Sequence, residues 1–420
     1  MKKTLLTLMI IAFAIAASAQ RYAGGDISLL TKYEEHGAKY YDNNGNVIPN
    51  MLSFFKSEGM NAMRVRLFVD PSVAPSDEKG EGVCQDLEYV KALSKRIKDA
   101  GFKLMLDFHY SDSWADPAKQ YTPAAWTTLT DAQLQTKIYE YTAEVLQQMN
   151  DNGTTPDFIQ TGNEISYGMM WAGRSAAQTS WKKYYAGQSA NAERFFSLLK
   201  KAGEACRDKC PSAKIVIHTE RVANINYLKA FYNDMKTAGI DYDIIGLSYY
   251  PYHHGSIAQL ESALGTLESN FPEKDIMLVE LGYYHKWQPD DVSFNYESTY
   301  PISEAGQKAF TDALIQKLES HPKVKGIFWW MMEANEYGLN WNTQRVTDKW
   351  YNAGLFDNET GKALSALSSL KDFIGTTGIE DITQQASPNK PNTIYSISGQ
   401  RLNAPRQGIN IINGKKVICK

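Results

Sequence analysis

Phe158-Ile159-Gln160-Thr161-Gly162-Asn163-Glu164 carries the reading of this chain. A strand-like run passes into a glycine, and a carboxylate follows at once. Ile276-Met277-Leu278-Val279-Glu280 ends the same way. A Glu at the tip of a buried strand is costly to desolvate, so a fold keeps one there chiefly when its charge or proton is used. Similar runs recur along the whole sequence. Strand-like segments over 22–28, 61–69, 103–111, 158–166, 214–220, 242–250, 275–284 and 324–332 alternate with helix-period segments. The latter lie near 50–59, 86–101, 130–151, 191–209, 227–239, 256–271, 303–321 and 362–375. In the third, Leu134, Ile138, Tyr141, Val145 and Leu146 keep helical spacing, and Thr130 or Asp131 is placed to cap it. Eight strand–helix repeats ending in a closing helix predict an α/β fold, a (β/α)8 barrel: parallel strands form an inner cylinder and the loops after them build the site. An open doubly wound sheet is the competing arrangement. It would normally carry a glycine-rich phosphate turn after its first strand, which Gly24-Gly25-Asp26 does not match.

The two ends of the chain read differently from the barrel. Lys2 and Lys3 precede an apolar stretch from Leu5 to Ala17, and Ala17-Ser18-Ala19 offers the small residues a signal peptidase accepts. Residues 1–19 are therefore expected to be a secretory signal removed before Gln20, leaving a secreted or cell-surface protein, with the periplasm as the alternative. The stretch is shorter than the ~20 residues that span a bilayer, and no later segment is long and apolar enough, so a membrane-spanning chain is not expected. The barrel takes up 20–375. Residues 376–393, rich in Thr, Gln, Asn, Ser and Pro, read as a linker, and 394–420 alternates again around an Asn413-Gly414 hairpin turn, as a short β-rich tail would.

Composition narrows the function further. A formal net charge of −3 and a pI near 6.2, with no basic stripe, argue against a nucleic-acid partner. Aromatic residues make up 12% of the chain, including nine Trp and 25 Tyr, which suits stacking on the C–H faces of sugars as well as a large core. Cys84, Cys206, Cys210 and Cys419 show no metal-ligand spacing, and Cys206 and Cys210, one helical turn apart, are poorly placed for a bridge.

In a barrel, chemistry gathers where the strands end, and polar residues are numerous there. The second strand carries Arg64 and Arg66 on one face; the third runs into Asp107-Phe108-His109-Tyr110-Ser111-Asp112-Ser113-Trp114-Ala115-Asp116-Pro117. The fourth ends in Asn163-Glu164, the fifth in His218-Thr219-Glu220, the sixth in Ser248-Tyr249-Tyr250-Pro251, the seventh in Glu280 and the eighth in Trp329-Trp330. A single buried Arg or His is more often a satisfied core residue than a catalyst. So many at one end are expensive to bury without a use. Two carboxylates facing each other across such a pocket are the equipment for cleaving a glycosidic bond.

The chain resembles glycoside hydrolase family 53, the arabinogalactan endo-β-1,4-galactanases, over 22–370. The resemblance is carried by Gly25-Asp26-Ile27-Ser28, Asn61-Ala62-Met63-Arg64-Val65-Arg66, the run from Asp107 to Pro117 with Gln120, Pro123 and Trp126, Gln160-Thr161-Gly162-Asn163-Glu164-Ile165, Asp243 to Pro251, and Val279-Glu280. It implies a retaining hydrolase of β-1,4-galactan, with Glu164 as acid/base and Glu280 as nucleophile. Arg64 and Tyr250 are expected to hold Glu280 charged, and Asn163 to meet the sugar 2-hydroxyl. Asp116 falls within the family's third-strand run and is expected at the substrate. Trp114 and Trp330, with Trp329, are candidate sugar platforms; His109, His218 and His254 are candidates for hydroxyl recognition. Another β-1,4 glycan such as mannan, or a barrel that binds glycan without cutting it, are the alternatives. No cofactor is expected. Some relatives carry calcium, but around Asp290 and Asp291 no oxygen-ligand spacing stands out, and no metal is expected. The tail, with Ser398-Gly399-Gln400-Arg401-Leu402 and Gly408 to Val417, resembles the sorting tails of the type IX secretion system, which implies a partner in that machinery.

Overall fold

The computed structural model describes residues 20–288, 292–375, 394–396, 401–402, 404–412 and 415–419. The expected signal segment, the linker, Asp290, Asp291 and the Asn413-Gly414 turn lie outside these residues. Eight parallel strands close into a barrel in sequence order: β1 (Tyr22–Asp26), β2 (Ala62–Leu67), β3 (Lys103–Phe108), β4 (Phe158–Thr161), β5 (Lys214–Thr219), β6 (Ile244–Tyr249), β7 (Asp275–Leu281) and β8 (Val324–Trp329). All eight coincide with the segments read from the sequence, each ending between one and five residues early because the expected range ran on into the loop.

Helices follow on the outside, each burying one face against the cylinder. The helix Asp131–Asp151 shows why these segments fold as they do. Thr130 accepts from the Gln133 backbone N–H while the Gln133 side chain reaches back to Thr130, a capping box that ties down two donors the first turn cannot otherwise satisfy. Leu134, Ile138, Val145 and Leu146 then form the buried stripe. The closing helix, Ser365–Ile374, packs beside β1.

The barrel interior is layered, and the layers place the site. Alternation sends Ala62, Met105, Phe158, Val216, Ile244, Met277, Val279 and Phe328 into one apolar cluster from seven strands, β2 through β8. Gly246 sits among them with no room for more: a Cβ there would lie 2.7 Å from Val216 Cγ1 and 3.3 Å from Val279 Cγ2. On β2 to β5, two residues further along, the inward positions turn polar: Arg64, Asp107, Gln160 and His218.

The tail forms a separate antiparallel sheet in the order β10 (Arg401–Leu402), β9 (Ile394–Ser396), β11 (Gly408–Ile412), β12 (Lys415–Cys419), as its alternation predicted. Cys84, Cys206 and Cys210 are free thiols. Among the described residues no helix is long and apolar enough to cross a membrane.

Candidate active site

Above the apolar cluster, alternation brings Asp26, Arg64, Arg66, Asp107, Gln160 and His218 into the barrel lumen, all without solvent exposure. Charges can lie this deep only if they satisfy one another. Arg64 does most of this. Its Nη1 donates to Asp26 Oδ2 at 3.0 Å; its Nη2 lies 2.7 Å from Asp107 Oδ2, 2.9 Å from Asn163 Oδ1 and 3.0 Å from Glu280 Oε1. Arg66 Nη1 takes the other Asp26 oxygen at 2.7 Å, and its guanidinium lies 4.6 Å from the Trp114 ring centre and 5.0 Å from that of Trp330.

Glu280 reaches this layer through an irregularity. Val279 already points inward, so simple alternation would turn Glu280 out toward the helices. The β6–β7 register shifts between Leu247 and Ser248: Leu247 pairs with Leu278, but Ser248 pairs with Glu280. This bulge re-aims the carboxylate into the lumen, directly beside Ser248. There it faces Arg64, and the Tyr250 hydroxyl donates to Oε2 at 2.9 Å.

Glu164 arrives by a different device. β4 stops at Thr161, Gly162 takes φ +107, and Glu164 itself adopts the left-handed region at φ +46, which a residue with a Cβ enters at a cost of roughly 1–3 kcal/mol. The turn is held from outside by Gln120, whose amide donates to Asn163 O at 2.7 Å. Strain stored at one acidic residue, over-determined by its neighbours, marks a position whose orientation matters. The Ser248 hydroxyl lies 2.6 Å from Glu164 Oε1 and 3.5 Å from Glu280 Oε2, so two oxygens of the facing carboxyls stand within about 6 Å, close to the spacing of a retaining pair.

The two carboxyls differ in surroundings. Burial raises Glu164 well above the ordinary carboxylate range, and the charges of Glu280 and Glu220 push it further. Burial also pushes Glu280 up, to about 7, but Arg64 and the Tyr250 hydroxyl pull against it. No cation opposes the rise at Glu164, so of the two it holds its proton to higher pH. Asp107 stays below the usual range: burial alone would raise it, and Arg64 and His109 more than offset that.

Both residues open on a cavity of about 840 Å³ at the C-terminal ends of the strands. Trp114, Asp116, Asn163, Glu164, Tyr250, His254, Glu280 and Trp330 all line it. Arg64, His109 and His218 lie beneath the cavity instead. His109 Nδ1 accepts from the Ala115 N–H at 3.1 Å and its Nε2 lies 3.1 Å from Asp107; His218 faces Gln160 and Ser248. Both rings are buried beneath the cavity against protein groups, so they orient neighbours rather than reach a sugar. Asn163 has committed its oxygen to Arg64 and one N–H to Ala115 O at 2.8 Å, which leaves it one N–H for a ligand. His254 Nδ1 accepts from the Tyr250 N–H at 3.0 Å, and burial lowers its pKa to about 3, so it stays neutral. Trp329 is packing: it is buried and its indole N–H donates to Ala353 O at 2.6 Å.

Sequence reasoning missed Tyr284, Trp287 and Trp350 on the cavity wall and Gln160 beneath it. The three aromatics sit on irregular loops where no period betrays direction. Gln160 was legible in principle, since it lies at the inward register of β4, two residues beyond Phe158.

Comparison with known proteins agrees with this geometry. The model of glycosyl hydrolase family 53 matches residues 22–370. An arabinogalactan endo-β-1,4-galactanase A of Aspergillus niger is 29% identical over 75% of this chain and 86% of its own, and an endo-β-1,4-galactanase of Bacillus subtilis is 27% identical over 80% and 81%. Among solved structures, a family 53 catalytic domain from Ignisphaera aggregans superposes with a TM-score of 0.72 at 32% identity, covering 84% of this chain and 95% of that one. Matched along its whole barrel, with paired carboxylates at the strand ends, the chain belongs to glycosyl hydrolase family 53.

Proposed function

We propose that this protein is a retaining endo-β-1,4-galactanase that cleaves the galactan side chains of pectin through a covalent glycosyl-enzyme intermediate. The observation that carries the reading is the unequal pair bridged by Ser248: Glu280 faces Arg64 and Tyr250, while the charged groups acting most strongly on Glu164 are other acids. In the first step a Glu280 oxygen bonds to the anomeric carbon as the glycosidic C–O bond breaks. The leaving oxygen takes that bond's electron pair and the proton held on Glu164. In the second, water gives a proton to Glu164 as its oxygen attacks the anomeric carbon, and Glu280 departs as a carboxylate. Arg64 and Tyr250 favour that departing charge, and the spare N–H of Asn163 is placed for the 2-hydroxyl. Trp114 and Trp330 offer apolar faces to the sugar rings.

Reducing-end release from a panel of polymers tests the substrate. Release from galactan and not from mannan is expected; release from mannan alone would reassign it, and binding without release from any polymer would leave a glycan-binding barrel.

Removing the acid gives a finer check. Glu164→Ala is expected to lower kcat on galactan by about 10²–10⁴-fold. Added azide, which needs no base to attack, should restore turnover on an aryl galactoside and yield the β-galactosyl azide. An α-azide, or no azide product, would contradict the assignment.

The dependence on pH follows from the same pair. Below the first ionisation Glu280 is protonated and cannot attack; above the second Glu164 has lost its proton. Because burial raises both carboxyls, the bell in kcat/KM against pH is expected to sit nearer neutrality than ordinary carboxylates, at about 4.3, would place it. The negative charge of Glu220 raises Glu164, so Glu220→Gln should move the alkaline limb to lower pH.

Polymer cleavage calls for an exported enzyme, and the Lys2-Lys3 and apolar Leu5-to-Ala17 pattern supports that reading. An N-terminus at Gln20 in the exported protein tests it, and loss of export on deleting 394–420 tests the sorting role of the tail.

A further inference from the structure

We infer that Ser248, held by His218, is a positioning residue that keeps the acid proton of Glu164 on its cleft-facing oxygen. The inference rests on Glu164 being the acid/base, and it follows from the direction of each hydrogen bond in one buried chain.

The chain starts at a charge whose role is fixed. Asp107 can only accept, so the atom of Gln160 that lies 2.6 Å from its Oδ1 is the amide nitrogen. The same nitrogen has a second hydrogen, whose nearest partner is His218 Nδ1 at 3.0 Å, ahead of Asn163 Oδ1 at 3.2 Å and Gly162 O at 3.3 Å. The backbone N–H of Glu164 points at that Nδ1 as well, from 3.3 Å. Asn163 Oδ1 also lies 3.1 Å from this nitrogen, but that oxygen already accepts from Arg64 Nη2 at 2.9 Å, whereas the backbone N–H of Glu164 has a fixed direction and no other role here; Nδ1 is therefore the acceptor and the hydrogen of His218 is on Nε2. Burial and the nearby Arg64 hold the ring neutral.

His218 Nε2 therefore donates to Ser248 Oγ, 2.8 Å away. With its oxygen accepting, Ser248 must send its own hydrogen onward, and the two receivers are unequal: Glu164 Oε1 at 2.6 Å, Glu280 Oε2 at 3.5 Å. It goes to Glu164. An oxygen that already accepts a hydrogen bond along this line is not where the carboxyl proton sits. The proton is left on Oε2: the Ser248 hydrogen bond goes to Oε1, and the side chain lines the cleft. The other charges facing Glu164 are Glu280 from β7, Glu220 beyond β5 and Asp116 from the β3 loop, all acids that cannot compete as donors when ionised.

Aim matters twice. In the first half-reaction a proton on Oε1 would point at Ser248 instead of the leaving oxygen. In the second, the Ser248 hydroxyl stabilises the carboxylate form that must accept a proton from water.

The test is the response to leaving-group quality. Ser248→Ala should lower kcat/KM about tenfold for an aryl glycoside with a poorly acidic phenol and leave a dinitrophenyl glycoside, which departs without a proton, within about twofold of wild type. The alkaline limb should move to higher pH, since a donor to the carboxylate form has gone. Ser248→Thr, which restores a hydroxyl, should recover both. An equal loss on both substrates, or an alkaline limb moving down, would overturn the inference and leave Ser248 a packing residue. The series uses whichever aryl glycoside the wild-type protein cleaves, so a wrong sugar assignment does not touch it. If Glu164→Ala itself shows no leaving-group dependence, the acid assignment fails and takes the inference with it. Dependence in Glu164→Ala but none in Ser248→Ala sinks the inference alone.

Discussion

Glu280→Gln abolishes polymer cleavage, lowering kcat by about 10⁴-fold or more, while affinity for an oligosaccharide stays within about tenfold of the wild-type protein. The size of the effect follows from what the amide removes. Gln has the volume of Glu and still accepts from the Tyr250 hydroxyl, so the cleft keeps its shape. It lacks the negative charge and the nucleophilic oxygen; Glu164 is required as the acid, and Asp107 and Asp26 are engaged by Arg64 below the cleft. Binding survives because the walls, including Trp114, Trp330 and Trp350, are untouched. Single-turnover hydrolysis and calorimetric titration of the same variant measure the two halves. Residual turnover near wild type would remove Glu280 as nucleophile; a parallel collapse of binding would mean that its charge builds the cleft and does not merely react there.

That Glu280 faces the cleft at all could not have been deduced from alternation. Its predecessors Met277 and Val279 set an inward register that excludes it, and only the β6–β7 bulge readmits it. The sequence nonetheless marked it, because a carboxylate closing an apolar run is legible without knowing which way it points. The strands were legible for the same reason: a parallel strand buried on both faces reads as a continuous apolar run, and eight of them survived in order. Arg64 and Arg66 were placed on one face by their spacing alone, and the structure puts both into the lumen.

What the sequence hid was the partnering within the layer. His109 and His218 looked like ligand-facing groups because a histidine at a strand tip is equally suited to touching a sugar or steering a neighbour. Which of these it does is set by contacts between strands far apart in sequence, such as Gln160 to His218 across 58 positions. Tyr284, Trp287 and Trp350 went unnoticed for a related reason. Their loops have no period, so nothing in the order of residues says that Trp350, at φ +66, folds back beside Tyr250.

Arg64→Met tests the layer as a whole, and it is expected to cost stability as well as activity. One guanidinium neutralises three buried carboxylates, Asp26, Asp107 and Glu280. Met fills a similar volume without charge, so packing is largely kept, but Asp107 loses its main cation and Asp26 retains only Arg66. Stranding buried charge in this way costs about 3–5 kcal/mol. In the wild-type protein Asp107 lies below its unfolded value, so its contribution is present at neutral pH and is lost as pH falls through the folded pKa. In the variant the sign reverses. Burial without a partner raises the same carboxyl, the protonated form becomes the one the fold prefers, and acid relieves the strain. The deficit relative to wild type should therefore be greatest at pH 7 and above, and should shrink as pH approaches about 4, where unfolded carboxylates also take up protons. Denaturant midpoints across that range decide the point. A deficit independent of pH would show that Arg64 matters through its packing, and the account of the lumen as a charge-balanced layer supporting Glu280 would fall.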